Sequence, residues 1–234
     1  MLQSNLQAQG KDLISRLPKW IEYGALLLAF VAGSINAIGL IGFEHQSVSH
    51  LSGTATLLGT SVLGESVAVS VHLAGVLLSF FLGAAISGFL LHGSSLQLGR
   101  HYDTALLVEA ILIFAAFYLL SQGSFYGHFA ASAACGLQNA LATTYSGAII
   151  RTTHLTGIFT DLGIMLGAFF RGEVFDRRKA VLFLLIIAGF ILGGTFGGYL
   201  FASLGFKSLI VPGFICLVLA LCYRIYSGSG SARG

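Results

Sequence analysis

The sequence predicts an all-α polytopic membrane protein of about six transmembrane helices in two inverted repeats, each with a broken or re-entrant element. Three observations favour this fold class: the scarcity of charge, the length of the apolar runs and a motif that occurs twice. Of the 234 residues, 56% are hydrophobic and 9% charged, and the mean hydropathy is +0.87. Soluble domains carry about 25% charged residues. The chain is therefore expected in a membrane, and a net charge of +3 gives no reason to expect a nucleic-acid partner.

The apolar runs are long enough to cross a bilayer, since a hydrocarbon core of about 30 Å needs about 20 helical residues. Clear spans are predicted at residues 21–43, 67–91, 104–121, 129–147, 181–203 and 207–226. Two further stretches, 46–65 and 151–171, are apolar in outline but rich in Ser, Thr, Gly and His. Each of these two either crosses the membrane or enters it and returns to the same side.

The two ends of the chain are polar. Residues 1–20 are predicted to form a cytoplasmic amphipathic lead-in, with Trp20 at the membrane interface. Residues 227–234, SGSGSARG, have the composition of a disordered tail.

Basic residues on loops mark the cytoplasmic side of a membrane protein. If the two ambiguous stretches are re-entrant, six crossings remain, both termini are cytoplasmic, and every loop cation except Lys207 lies inside. If both stretches cross, there are eight spans in two parallel repeats, and Arg100 and Arg151 lie outside. We favour six spans and keep eight as the alternative.

A repeated motif divides the chain into two halves, 21–121 and 129–226. Residues 50–59 read HLSGTATLLG and residues 154–163 read HLTGIFTDLG, and each is preceded by an Asn 14 or 15 residues upstream. Homologous halves with three crossings each must lie in the membrane with opposite orientation, which is the inverted-repeat plan of many secondary transporters.

The duplicated elements supply the candidate site. If they are re-entrant, two short helices begin near the midplane, where free N–H groups and the helix dipole suit an anion or a neutral polar solute. The predicted substrate-binding or transport residues are Asn36, His50, Ser52, Gly53, Asn139, His154, Thr156, Gly157 and Asp161. The alternative is structural: Ser and Thr cap the helices, and Asn bridges neighbouring spans.

The candidates for proton coupling are Asp161, His154 and Glu109, because ionisable groups at membrane depth are expensive and usually face a cavity or a partner. Asp161 lies seven residues after His154, on the same helix face, and its counterpart in the first half is Leu57. Glu109 lies inside a predicted span. The alternatives are an ion pair of Asp161 with Arg151, and a Glu109 side chain that extends to the interface.

We predict no cofactor, no metal site and no catalytic residue. The three cysteines, Cys135, Cys216 and Cys222, lie in apolar runs, where cysteine behaves as a small hydrophobic residue. Glycines at four-residue spacing near the end of the chain, such as Gly189 and Gly193, indicate close helix packing and leave room for a homo-oligomer.

Three segments resemble a known family. An A-G-x-x-N-A-type first span at 32–37, a V-S-x-x-[ST]-G segment at 48–53 and its counterpart T-T-x-x-T-G at 152–157 resemble the YoaK-like family of bacterial inner-membrane proteins. The resemblance covers about residues 21–226. It implies a small polytopic protein of the bacterial inner membrane with about six spans and an uncharacterised function.

The sequence therefore favours a transporter or channel-like protein for a small polar or anionic solute, with the bilayer and the solute as partners. Two alternatives stay open. One is a membrane-embedded enzyme that uses Ser52 or Thr156 with a His, or a His with Asp161. The other is a structural or assembly component of a membrane complex.

Overall fold

Helices make up nearly all of the described chain. The computed structural model describes residues 20–42, 47–64, 66–91, 101–146 and 151–231, and within these ranges it contains no strand. The elements are α1 Trp20–Gly42, α2 Leu51–Ser61, α3 Val67–Leu90, α4 Tyr102–Ser121, α5 Tyr126–Tyr145, α6 Leu155–Phe170, α7 Arg177–Leu204, a 3₁₀ turn Gly205–Leu209 and α8 Ile210–Ser231. The all-α prediction is confirmed for these residues.

The helix bounds follow the apolar runs of the sequence. Each of the six predicted spans overlaps one long helix, whose bounds differ from the prediction by up to five residues, and the two ambiguous stretches contain the two shorter helices, α2 and α6. Helix α8 continues to Ser231, so the segment expected to be disordered begins as a helix. Most of the predicted lead-in, residues 1–19, and the cation Arg100 lie outside the described residues.

Among the described residues, four helical segments are long and apolar enough to cross a membrane. They are Glu22–Gly42, Val67–Leu90, Tyr102–Ser121 and Arg177–Tyr226, and the last contains both α7 and α8. The chain is therefore a membrane protein by length and composition. Helix α5 is not among the four, although it has as many residues as α4. Its polar side chains His128, Ser132 and Gln138 are fully buried, because α1, α3 and α4 surround it.

Helices α1 and α7 form one of the two most extensively packed helix pairs of the described chain. A Cβ atom on Gly33 would lie 2.1 Å from the carbonyl oxygen of Phe190, and one on Gly193 would lie 2.0 Å from that of Phe30. Since real Cβ atoms essentially never approach within 3.0 Å, only glycine permits this approach of the two backbones.

Helices α3 and α5 form the second pair in the same way. A Cβ atom on Gly136 would lie 2.1 Å from the carbonyl oxygen of Phe80, and one on Gly83 would lie 1.9 Å from that of Ala133. If 103 is subtracted from the α5 residue numbers and 110 is added to the α3 numbers, the contact of Gly136 with Phe80 becomes that of Gly33 with Phe190. In the same way, the contact of Gly83 with Ala133 becomes that of Gly193 with Phe30. Each pair therefore joins one helix of each predicted half through equivalent contacts.

The order of contacts gives the direction of each helix. Residue numbers rise together in the contacts between α1 and α7, so these two helices are parallel. The contacts are Leu26 with Gly189, Phe30 with Gly193 and Ser34 with Gly197. Contacts between α3 and α5 also ascend together: His72 with His128, Val76 with Ser132 and Phe80 with Gly136. Helices α4 and α8 are antiparallel: Tyr102 stacks on Tyr223, and Gly213 lies against Ile113 and Phe114.

The two short helices are placed differently. Helix α2 packs against α3, whereas α6 makes few contacts, all of them with α7. The buried residue of α6 is Ile158, which packs against Phe183 and Ile186 of α7. Within the described residues, α2 and α6 do not touch each other.

Candidate functional site

The segment before α2 is fastened to α1 by Asn36. The Oδ1 atom of Asn36 accepts hydrogen bonds from the backbone N–H of Ser49 at 3.3 Å, from the Ser49 hydroxyl at 2.7 Å and from the Ser47 hydroxyl. The Ser47 hydroxyl in turn accepts the N–H of His50 at 2.9 Å. One amide oxygen therefore holds the turn that leads into the first duplicated motif.

Val48 carries this segment into the helix bundle. It is fully buried, and its side chain lies against Gly39, where a Cβ atom would approach it to 2.9 Å. The Ser132 hydroxyl lies 3.1 Å from the carbonyl oxygen of Val48 and 2.9 Å from that of Val76. Val76 lies nine residues into α3, about 13 Å from the start of that helix.

Helix α2 then returns toward the start of α3. The hydroxyls of Ser61, at the end of α2, and Ser70, in the first turn of α3, are 2.8 Å apart. The chain thus enters the bundle near Val76 and leaves it near Ser70, on the side where α3 begins.

His50 is the N-cap residue of α2, without a side-chain capping bond. The N–H of Thr54 donates to the His50 carbonyl oxygen at 3.2 Å, so the N–H groups of the three residues between them have no partner within the helix. Ser52 is exposed in the first turn and does not cap the helix. A Cβ atom on Gly53 would lie 3.7 Å from His50 Nδ1, which is an ordinary contact.

The start of α6 repeats this arrangement. His154 is the N-cap residue, again without a side-chain bond, and its carbonyl oxygen accepts the N–H of Ile158 at 3.3 Å. A Cβ atom on Gly157 would lie 2.4 Å from His154 Nδ1, so glycine is needed for the imidazole to lie over the first turn. Thr156 is exposed, as its counterpart in α2 is.

Among the described residues, the second half shows no counterpart of the hydrogen bonds that Asn36 makes. The Oδ1 atom of Asn139 has no hydrogen-bond partner, and neither has the hydroxyl of Thr152, although both atoms are buried. The backbone carbonyl of Asn139 accepts a hydrogen bond from the Thr143 hydroxyl at 2.6 Å. Residues 147–150, which lead toward Thr152, lie outside the described residues.

The structure does not bring the two motifs together within one chain. His50 and His154 are both exposed, and their helices make no contact in the described ranges. Asn36 lies close to the His50 turn. Each repeat therefore presents its own helix start, rather than half of one shared site.

The two carboxylates proposed for coupling lie in opposite environments. Asp161 is exposed on α6 and forms no ion pair with Arg151 or any other described residue. Glu109 is fully buried in α4, where the thiols of Cys216 and Cys135 lie near its carboxylate. Glu109 therefore does not extend to the interface.

Sequence reasoning missed a histidine pair. His72 Nε2 lies 2.9 Å from His128 Nδ1, and the rings of Phe125 and Phe129 lie against His72. In the other pair of helices, the residue equivalent to His72 is Leu182 and the residue equivalent to His128 is Ala25. A search for polar residues whose counterparts in the other half are apolar could therefore have found this pair. The described residues hold no group of three or more His, Cys, Asp or Glu side chains that could bind a metal ion.

Comparison with known proteins identifies a family for most of the chain. A family model described as "Protein of unknown function (DUF1275)" matches residues 24–222. No curated protein and no solved structure matches the chain. The matched region begins in α1 and ends in α8, so it includes both repeats and both short helices.

Proposed function

This chain belongs to the DUF1275 family of proteins of unknown function, and from that premise we propose that it is a transporter or channel-like protein for a small polar or anionic solute. The observation that carries the proposal is the buried Val48 turn, from which α2 begins inside the bundle and returns to the side it came from. Broken or re-entrant elements of this kind form the solute sites of many secondary transporters.

The proposal includes six crossings in two inverted halves, with both termini in the cytoplasm of a bacterial inner membrane. Helices α1, α4 and α7 run in one direction and α3, α5 and α8 in the other, and the equivalent glycine contacts of the two extensively packed pairs support an inverted repeat. The basic start of α7 supports a cytoplasmic location for that end. The proposal keeps the narrower YoaK-like relationship, which rests on the sequence segments at 32–37, 48–53 and 152–157.

The solute would meet the two helix starts in turn, one from each side of the membrane. First-turn N–H groups of α2 and α6 donate to its oxygen atoms, and the positive end of each helix dipole favours negative charge. His50, Ser52, Gly53 and their counterparts in α6 line these starts. The unpartnered oxygens of Asn139 and Thr152 add acceptors in the second half.

Proton coupling would involve Glu109 rather than Asp161. An ionised carboxylate is very costly in an apolar interior, so Glu109 would take part only when a conformational change brings water to it. Asp161 is exposed on α6, so its carboxylate is accessible without a conformational change.

Flux measurements on proteoliposomes test the proposal. We would record charge movement on solid-supported membranes with chloride, nitrate, formate and acetate, and swelling with glycerol. The variants are Asn36→Ala, His50→Ala, His154→Ala and Glu109→Gln, and His101→Ala, at the start of α4 and outside the motifs, is the control.

We expect flux of at least one probe in wild type and in the control, and a loss of about tenfold or more when His50 or His154 is replaced, as for one lost interaction of about 1.4 kcal/mol. Wild-type flux in all four site variants would contradict the site assignment. Flux equal to that of empty liposomes for every probe would contradict the transport of these solutes.

A further inference from the structure

A cavity of about 500 Å³ lies between α1, α4, α5 and α8, apart from the two helix starts. Trp20 lies on its rim, and its wall includes Leu28, Leu106 and Leu141. None of the described residues that line it carries a charge. Because protein interiors are normally close-packed, an apolar volume of this size is expected to hold an apolar occupant.

The cavity lies where the two predicted halves differ in packing. Helix α4 packs closely on α5, whereas its counterpart α8 makes only a few contacts with α1. The halves also differ in the chain that precedes these helices, because α5 follows α4 after residues 122–125, whereas residues 1–19 precede α1. The open space therefore lies in the half that has additional chain.

Residues 1–19 end at the mouth of this cavity, because Trp20, the first described residue, lines it. The three large aliphatic residues nearest to Trp20 in this segment are Leu13, Ile14 and Leu17, and their spacing is that of one face of an amphipathic helix. A segment tethered by so few residues has an effective concentration on the order of millimolar at the cavity. It is therefore favoured over an apolar occupant that is free to diffuse away.

The segment is long enough to reach the bottom of the cavity. The wall runs from Trp20 to Leu28 along α1, which corresponds to about 12 Å of helix. Leu13 precedes Trp20 by about 23 Å of fully extended chain. Pro18 disfavours the helical conformation at Leu17, so the sequence predicts a break at which the chain can reverse toward the cavity.

The volume of the cavity matches this occupant. An engineered protein cavity of about 150 Å³ accommodates one benzene molecule, so about 500 Å³ accommodates three aliphatic side chains. We propose that Leu13, Ile14 and Leu17 fill the cavity, and that the segment before α1 thereby closes the gap between α1 and α8. This docking is independent of the transport function proposed above.

Disulfide formation with Cys222 tests the docking in the whole chain. Cys222 lines the cavity and is exposed, whereas Cys135 and Cys216 are buried. The protein in phosphatidylcholine nanodiscs would be oxidised with copper phenanthroline. Leu17→Cys is expected to form an intramolecular disulfide with Cys222 about tenfold faster than Ser15→Cys, because Ser15 lies on the polar side of the amphipathic pattern.

Two matched glycine variants test whether the cavity is the docking site. Gly24→Leu places a side chain in the cavity, and Gly88→Leu places one on the exposed side of α3, and both sites offer open space. In the Leu17→Cys protein, Gly24→Leu is expected to slow disulfide formation several-fold, and Gly88→Leu is expected to leave its rate unchanged.

Two matched deletions give a second measurement, the rate at which N-ethylmaleimide modifies Cys222. Deletion of residues 2–17 is expected to raise this rate about tenfold, equivalent to about 1.4 kcal/mol of docking free energy. Deletion of residues 2–9, which keeps Leu13, Ile14 and Leu17, is expected to leave the rate unchanged.

Three results would overturn the proposal. The first is an equal rate of disulfide formation in Leu17→Cys and Ser15→Cys. The second is a disulfide that joins two chains, since the occupant would then come from a second copy. The third is a Cys222 that stays protected in nanodiscs after deletion of residues 2–17, since a lipid acyl chain would then fill the cavity.

Discussion

Replacement of Gly193 by alanine tests the close approach of α1 and α7. The added Cβ atom would lie 2.0 Å from the carbonyl oxygen of Phe30, and this oxygen belongs to the backbone and cannot rotate away. To restore the 3.0 Å that real Cβ atoms require, the helices must separate by about 1 Å. Overpacking of this kind costs about 1–3 kcal/mol.

The neighbouring Gly194 is the matched control. A Cβ atom there would lie 3.7 Å from the carbonyl oxygen of Gly33, an ordinary contact. Both substitutions gain about 1 kcal/mol of helix propensity, so the difference between them isolates the clash. A difference of 1–3 kcal/mol corresponds to at least about 2 °C in the melting midpoint of a chain of this size.

The assay is the temperature at which half of the detergent-solubilised protein leaves the monodisperse chromatographic peak, at one heating rate because such unfolding is often irreversible. Gly193→Ala is expected to melt below Gly194→Ala. Gly83→Ala, whose Cβ atom would lie 1.9 Å from the carbonyl oxygen of Ala133, is expected to behave like Gly193→Ala. Equal midpoints for Gly193→Ala and Gly194→Ala would refute the inference that backbone contact holds the pair together.

Three further predictions concern the turn, the buried carboxylate and the orientation. Asn36→Ala removes the hydrogen-bond acceptor of the turn before α2 and is expected to destabilise the protein by about 1–3 kcal/mol. Asn139→Ala is expected to change the stability little, because the side-chain oxygen of Asn139 has no partner. Equal thermal midpoints for the two variants would contradict this prediction. Glu109→Gln keeps the shape and removes the ionisable group, so its midpoint at alkaline pH is expected to equal or exceed that of wild type, and a lower midpoint at every pH would contradict it. In intact cells, a membrane-impermeant maleimide is expected to label Gln122→Cys but not Glu173→Cys, and labelling of both would contradict six crossings.

The helices and their bounds could be predicted because apolar length and charged interruptions are local properties of the sequence. The long helix α7, for example, begins at a basic cluster and ends at Gly205, whose φ of +57° favours glycine. The bounds of α2 were less certain, since its Ser and Thr residues suit a broken element or a crossing equally well.

The candidate site was only partly predictable. Asn36 and the His50 turn were named from the repeat, and they lie together in the structure. The serines that complete this contact, Ser47 and Ser49, were missed because the second repeat has other residues there. The exposure of Asp161 depends on how α6 sits against the rest of the chain, and no local pattern contains that information.

The sequence by itself determined that the chain belongs in a membrane and where its helices lie, and its repeated motif predicts two related halves. These features follow from hydropathy and self-similarity, which are read along the chain. Only the tertiary structure decided that each of the two extensively packed pairs takes one helix from each predicted half, that Glu109 is buried while Asp161 is not, and that α8 leaves a cavity beside α1. These features depend on which backbones can approach each other, and contacts between residues more than a hundred positions apart decide that.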